Sequence, residues 1–360
     1  MKKLHALVVD DSALNRRTIA AILSDMEGIS HVDVARDGAE ALRLVEAKPP
    51  DFIALDLEMP RLDGFEFLHL LMDRHPLPVV VISAHYGKES IFRALELGAI
   101  DFLPKPHGEE APLERLRQQL EEKVRVVQQL SPLALRRTTV GGLDLNLERN
   151  GLRRAHREPS VIRRVPSKVI VIGASTAGPR ALVTLFRHLH DDLDAAIVIA
   201  QHMPPRFTYT FAQRLDKTGV MKVSEAKQYE RLGRGHAYVC PGGRCIEIVP
   251  SDRGPALRVV PPDPRARYVP SVDQLFESAA RVLGDKAIAV VLTGMGDDGA
   301  LGVCQIAKRN GQVLIEAPET AVVSGMPLAA RRSGVNHRAL GIWGLGDTLA
   351  DLTRPAEDEA

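Results

Sequence analysis

Short apolar runs alternate with amphipathic stretches over residues 4 to about 127. Leu7-Val8-Val9, Phe52-Ile53-Ala54-Leu55, Val79-Val80-Val81-Ile82 and residues 100–103 read as buried strands, with Val32-Asp33-Val34 a weaker candidate. Between them, residues 13–23, 39–45, 64–72 and 90–97 have the spacing of helices. Five repeats of strand then helix predict a parallel sheet with helices on both faces. The same logic restarts at Val169, with strand candidates at 169–172, 196–200, 287–292 and 312–315, so a second α/β unit is expected. The expected division is a first domain over 1–127, a linker over 128–165 and a second domain over 166–355.

The linker has weak periodicity and gathers Arg136, Arg137, Arg153, Arg154, Arg157, Arg163 and Arg164. A solvated connector explains such a run. Leu143, Leu145 and Leu147 alternate ahead of Asn150-Gly151, which allows a small hairpin inside it.

Charge narrows the partners. With 47 Lys+Arg against 46 Asp+Glu and 4% aromatic residues, the chain lacks the basic excess and the stacking surface of a nucleic-acid binder. Cys240, Cys245 and Cys304 are too few for a disulfide framework and suit a reducing compartment. No run approaches the ~18 apolar residues of a membrane span, and Asp10-Asp11 cut short the apolar start that would resemble a signal peptide. The cytoplasm is the expected compartment.

Two sets of residues carry chemistry. Asp10 and Asp11 follow the first strand and Asp56 the third, and a parallel sheet delivers neighbouring strand ends to one edge. Converging carboxylates need a hard cation, and an oxygen-only set favours Mg2+. Ser83-Ala84 and Lys105-Pro106 end the fourth and fifth strands, bringing the hydroxyl and ammonium that a phosphoryl group requires. In the second unit, Ser175 lies in Gly173-Ala174-Ser175-Thr176-Ala177-Gly178 after a strand, His202 in Gln201-His202-Met203-Pro204 after another, and Asp297-Asp298 in Thr293-Gly294-Met295-Gly296-Asp297-Asp298-Gly299 after a third. Serine, histidine and aspartate at three strand ends are an acyl-transfer set, although position alone does not choose between the two aspartates. Ser175 or Thr176 as a plain helix cap is the bland alternative. A phosphate loop is disfavoured by the absence of Gly-x-Gly-x-x-Gly and of a following Lys-Ser/Thr. His236, Cys240 and Cys245 lack zinc spacing, residues 233–243 read as a hairpin turn bordering the site, and Asp273 reads as a helix cap.

The first unit, through Val8-Val9-Asp10-Asp11-Ser12, Asp56, Met59-Pro60, Asp63-Gly64, Ser83-Ala84 and Lys105-Pro106, resembles a two-component receiver domain. The resemblance implies a five-stranded doubly wound fold, with Asp56 as phosphoacceptor for a histidine kinase. It also implies that Asp10, Asp11 and the Glu58 carbonyl help hold Mg2+, and that Ser83, Phe102 and Lys105 act as the switch. The second unit, through the three segments above with Cys240-Pro241-Gly242-Gly243 and Ser271-Val272-Asp273, resembles the catalytic domain of chemotaxis methylesterases. That resemblance implies a mostly parallel Rossmann-like hydrolase domain acting without a cofactor. Ser175 would be its nucleophile, His202 its base and Asp298 the orienting carboxylate, with Met295 and Thr176 supporting the oxyanion. The implied substrate is the glutamate γ-methyl ester of a chemoreceptor, with receptor glutamine as a second substrate. Ala177 departs from the family, which usually has glycine there, and a methyl group is expected to narrow substrate approach. A transcriptional regulator using the arginine cluster, or an inactive adaptor, are the competing readings.

Overall fold

The computed structural model describes residues 3–83, 88–105, 111–131, 133–136, 165–191 and 193–354. Ala84, Pro106, six of the seven linker arginines and the expected linker hairpin lie outside the described residues. The chain divides into two compact units at Leu143/Asp144, within the expected linker.

The first unit runs β1 (Leu4–Val9), α1 (Ala13–Ser24), β2 (Ile29–Ala35), α2 (Gly38–Ala47), β3 (Phe52–Leu55), α3 (Gly64–Arg74), β4 (Val79–Ser83), α4 (Lys88–Leu97), β5 (Asp101–Pro104) and α5 (Ala111–Gln128). The sheet order is β2-β1-β3-β4-β5, all parallel. β1, β3 and β4 are buried throughout because helices cover both faces, which is why they stand out as apolar runs. The weak candidate at 32–34 is a seven-residue edge strand, diluted in the sequence by Ser30, His31 and Asp33. Ser12 and Asp37 cap α1 and α2, and Asp63 forms a reciprocal capping box with Glu66 at α3.

The second unit runs β6 (Lys168–Ala174), α6 (Gly178–Arg187), β7 (Ala195–Gln201), α7 (Thr208–Thr218), β8 (Lys222–Glu225), β9 (His236–Val239), β10 (Cys245–Val249), β11 (Ala256–Val260), α8 (Val272–Leu283), β12 (Ala287–Val291), α9 (Ala300–Lys308), β13 (Gln312–Glu316), α10 (Gly325–Arg332), β14 (Arg338–Leu340) and α11 (Ile342–Thr353). Seven parallel strands are ordered β14-β13-β12-β6-β7-β9-β8, and β10-β11 form a separate antiparallel hairpin. Residues 233–243 are therefore not simply a turn. They contain β9, a buried strand of the main sheet, and the hairpin lies just after them.

β6 pairs with β7 on one side and β12 on the other, so the strand order reverses at the sheet centre. Open α/β sheets place their crevice outside the carboxyl ends of strands at such a reversal. None of the described helices is long and apolar enough to cross a membrane.

Candidate functional sites

At the carboxyl edge of the first sheet, Asp10, Asp11 and Asp56 each bring a carboxylate oxygen within 4.8 Å of the others. Asp10 and Asp56 are buried and Asp11 is exposed. Lys105 Nζ lies 2.5 Å from Asp56 Oδ2 and 2.8 Å from Asp10 Oδ2. The Leu57 amide donates to Asp56 Oδ1 at 2.8 Å, and the Ser12 amide to Asp10 Oδ1 at 2.9 Å. Asp10 Oδ2 touches the ammonium without forming a well-directed hydrogen bond. An oxygen-only set with an under-satisfied buried carboxylate oxygen fits a small hard divalent cation.

Burial pushes the Asp56 carboxyl above its usual range, against the pull of Lys105. Burial opposes charge on Lys105 too, but the two carboxylates outweigh it and raise its ammonium. Ser83 and Phe102 are buried at the neighbouring strands, the Lys105 amide donates to the Ser83 carbonyl at 2.9 Å, and Glu58 is exposed. Gly64 is required here, since a Cβ would lie 2.6 Å from Leu57 Cα in the loop beside Asp56.

In the second unit, Ser175 follows β6, His202 follows β7 and Asp298 lies beyond β12, so three adjacent strands deliver the three side chains. His202 Nε2 is 2.8 Å from Asp298 Oδ2. Asp298 is 2% exposed, and the first amides of α8 hold its carboxylate: Val272 donates to Oδ2 at 2.8 Å and Asp273 to Oδ1 at 2.9 Å. Asp297 points elsewhere. It is exposed, pairs with Arg267 at 3.2 Å and accepts from the Tyr268 hydroxyl at 2.8 Å. The choice left open by position thus has a geometric answer.

Backbone and side-chain bonds fix the nucleophile turn. Ser175 N donates to Thr293 O at 3.0 Å, His202 N to Ala174 O at 2.9 Å, and Gln201 Nε2 to the carbonyls of Ser175 and His202 at 2.8 and 2.9 Å. Among the described residues no hydrogen bond joins Ser175 Oγ to the imidazole. Such contacts are often loose without substrate. Nε2 faces Asp298, and Nδ1 is the ring nitrogen that does not. The Met295 amide makes no hydrogen bond among the described residues, leaving a donor next in the chain to Gly294, which packs against Ser175. Thr176 is buried, and its carbonyl accepts from Thr293 Oγ1 at 3.2 Å. Gly294 admits this packing, because a Cβ there would lie 2.7 Å from Ser175 Cβ.

Ala177 is 5% exposed and holds φ 60, ψ 0 as the residue before α6. Its departure from glycine therefore acts mainly on the backbone, through left-handed strain, and little of its methyl group faces an incoming substrate. Ala177→Gly is expected to raise stability by roughly 0.5–1 kcal/mol, the relieved strain less the added unfolded-state entropy of glycine. Chemical denaturation checks this through an upward shift of the second unit's transition.

Other participants gave little signal in the sequence. Tyr268 stacks on His202 with ring centroids 5.2 Å apart and planes 6° from parallel. It comes from a proline-rich loop with no periodic pattern. Asp273 does not cap its own helix, which Ser271 does. Instead it accepts from the Gly302 amide at 2.6 Å at the start of α9. Burial pushes its carboxyl up to about 6 against that amide, and the charge of Asp298 adds to the rise.

Glu316, the last residue of β13, is wholly buried behind the turn and accepts from the Thr293 amide at 2.8 Å. A charged residue ending a strand at this edge was the available clue. Burial raises its carboxyl to about 7, partly offset by the Thr293 and Thr320 hydrogen bonds. The native state thus holds a proton that the unfolded chain releases near pH 4.5, so stability falls as pH rises from there to about 7. Glu316→Gln is expected to gain on the parent across that window, by up to about 3 kcal/mol, and to match it below pH 4. Thermal midpoints at pH 4, 6 and 8 check the sign.

Residues 170–349 match the family model described as CheB methylesterase, and residues 6–117 that described as response regulator receiver domain. The protein-glutamate methylesterase/protein-glutamine glutaminase 1 of Myxococcus xanthus is 41% identical over 352 residues, spanning 98% of this chain and 97% of that protein. Number 6 of Anaeromyxobacter dehalogenans is 42% identical over 364 residues, spanning 99% and 97%. The crystal structure of the Thermotoga maritima CheB methylesterase catalytic domain matches with 35% identity and a TM-score of 0.50, over 52% of this chain and all of that one. The chain belongs to the CheB methylesterase family, with a response regulator receiver domain preceding the methylesterase domain.

Proposed function

We propose that the chain hydrolyses glutamate γ-methyl esters on methyl-accepting chemoreceptors, releasing methanol, and deamidates receptor glutamines at the same site, with phosphorylation of Asp56 by a histidine kinase setting the rate. The observation that carries the catalytic part is the His202–Asp298 contact at 2.8 Å, beside Ser175 at the carboxyl ends of three adjacent parallel strands.

Ser175 Oγ attacks the ester carbonyl carbon while His202 Nδ1 takes its proton. Asp298 stabilises the resulting imidazolium, and the Met295 amide, supported by the turn at Thr176, receives the oxyanion. Collapse of the tetrahedral intermediate expels the alkoxide, which leaves as methanol with the proton from His202, and a glutamyl-Ser175 ester remains. Water, deprotonated by His202, then attacks that ester, releasing the glutamate carboxylate and returning the proton to Ser175. With glutamine as substrate the first leaving group is ammonia, and the same acyl-enzyme forms.

In the receiver, Asp10, Asp11 and Asp56 with the Glu58 carbonyl would hold Mg2+, which when bound offsets the negative charge of the incoming phosphoryl group. Asp56 is the acceptor, Lys105 meets the new anionic oxygens, and Ser83 and Phe102 pass the change to the surface. The test is methanol release from a purified methylated receptor with and without a small-molecule phosphodonor. Release that rises with the phosphodonor is expected, and no release in either condition would overturn the assignment.

A further inference from the structure

A second cluster of side chains with metal-binding donor atoms lies on the receiver sheet away from its carboxylate edge. His5 of β1 is in register with His31 of the edge strand β2, and Asp33, two residues further along β2, shares the face of His31. His5 Nε2 is 2.8 Å from Asp33 Oδ2, and His31 Nε2 is 3.0 Å from Asp33 Oδ1. The imidazole centroids are 5.4 Å apart, and one ligand atom from each residue lies within 4.8 Å of the other two.

We propose that His5, His31 and Asp33 bind a borderline divalent transition-metal ion of the Zn2+ class, at a site separate from the Mg2+ cluster of Asp10, Asp11 and Asp56. The donor chemistry separates the two. Two imidazole nitrogens and one carboxylate suit Zn2+, Co2+, Ni2+ or Cu2+, whereas the all-oxygen cluster suits Mg2+. Metal–ligand bonds of about 2.0–2.1 Å put tetrahedral ligand atoms about 3.3 Å apart. The two imidazole–carboxylate contacts, at 2.8 and 3.0 Å to the two oxygens of Asp33, are within a few tenths of an ångström of that, and all three ligand atoms already lie within 4.8 Å.

Rigidity and access are also provided. His5 is buried in a central strand, and its amide donates to Asp51 Oδ2 at 2.8 Å. The side chains of His31 and Asp33 are 54% and 33% exposed, which opens a path for the ion and leaves a coordination position for water. His5 Nδ1 is buried without a hydrogen-bond partner, so the outer-sphere acceptor that usually orients a ligating histidine is missing. Affinity is accordingly expected about 10–100-fold below that of a fully supported three-ligand site, in the micromolar range.

The rival account is a proton-bridged cluster in which Asp33 only accepts from the two rings. Titration of the tag-free full-length protein with Zn2+, and with Co2+ as a visible-absorption probe, separates the two. The expected result is one equivalent bound at micromolar concentration, an upward shift of the receiver's thermal midpoint, and nitrogen/oxygen-type Co2+ bands without thiolate charge transfer. His31→Gln and Asp33→Asn should each weaken binding at least about 10-fold, and Asp11→Asn should leave it unchanged. His31 and Asp33 both lie on the edge strand, and circular dichroism without metal confirms that the three variants fold. The proposal is overturned by absence of binding below about 1 mM, or by equal Zn2+ affinity in parent and His31→Gln protein.

Discussion

Ser175→Ala is expected to reduce methanol release from a methylated receptor by at least about 10^4-fold, to the level of residual binding and oxyanion stabilisation. The substitution removes the only atom that forms a covalent bond with substrate, while the turn is held by Ser175 N and O, which alanine retains. The fold and the receiver's phosphorylation should therefore be unaffected. The two aspartates provide an internal control. Asp298→Asn leaves an isosteric amide whose NH2 group can displace the acceptor oxygen facing His202 Nε2, so the imidazole loses its tautomer and its counter-charge. A fall in kcat on the order of 10^3–10^4 is expected, with little change in KM. Asp297→Asn breaks an exposed contact with Arg267 and weakens the tether of Tyr268, so about a few-fold loss is expected. Methanol release by the three variants at saturating receptor gives the order. Hydrolysis by Ser175→Ala above about 1% of the parent rate would move the nucleophile elsewhere.

Much of this site is legible in the sequence because of where parallel sheets put their chemistry. β6, β7 and β12 are buried on both faces, so they appear as apolar runs, and the residues just after them declare the site edge. What stayed hidden has physical causes. β9 reads His236-Ala237-Tyr238-Val239 and looks half polar, yet the strand is wholly buried. The Ser224 hydroxyl lies 2.9 Å from His236 Nε2, and the Tyr238 hydroxyl donates to the Arg231 carbonyl at 2.9 Å while accepting from the Gly233 amide at 3.1 Å. Partners 5 to 12 positions earlier, in β8 and the segment leading into β9, satisfy these groups at spacings that match no strand or helix period, so the pattern cannot register them. The same limit hid Tyr268, whose role depends on a stacking contact 66 positions away from His202, and the ring nitrogen that Asp298 selects. Ala177 was legible as a departure but not in its meaning, since left-handed φ belongs to the backbone and carries no sequence label except glycine.

Asp56→Asn is expected to preserve basal hydrolysis and to eliminate stimulation by a phosphodonor, a stimulation of about 5–150-fold if the switch is worth 1–3 kcal/mol. Basal hydrolysis should persist because the residues assigned to ester chemistry all belong to the second unit. Stimulation should vanish because an amide neither accepts the phosphoryl group nor takes its place electrostatically. Phosphorylation adds a group of about −1.5 to −2 charges where a single buried carboxylate now shares Lys105 with Asp10. Lys105 cannot satisfy those oxygens and keep both present contacts, so a further donor is needed, and Ser83, buried at the end of the adjacent strand β4, carries a hydroxyl able to supply it. Asparagine leaves Lys105 paired to Asp10 alone and creates no demand on Ser83. If Asp56→Asn still responds to phosphodonor, acceptance at another residue must drive the switch. If its basal rate matches the stimulated parent, the carboxylate itself is what restrains the enzyme, and the addition of phosphate acts by removing that restraint.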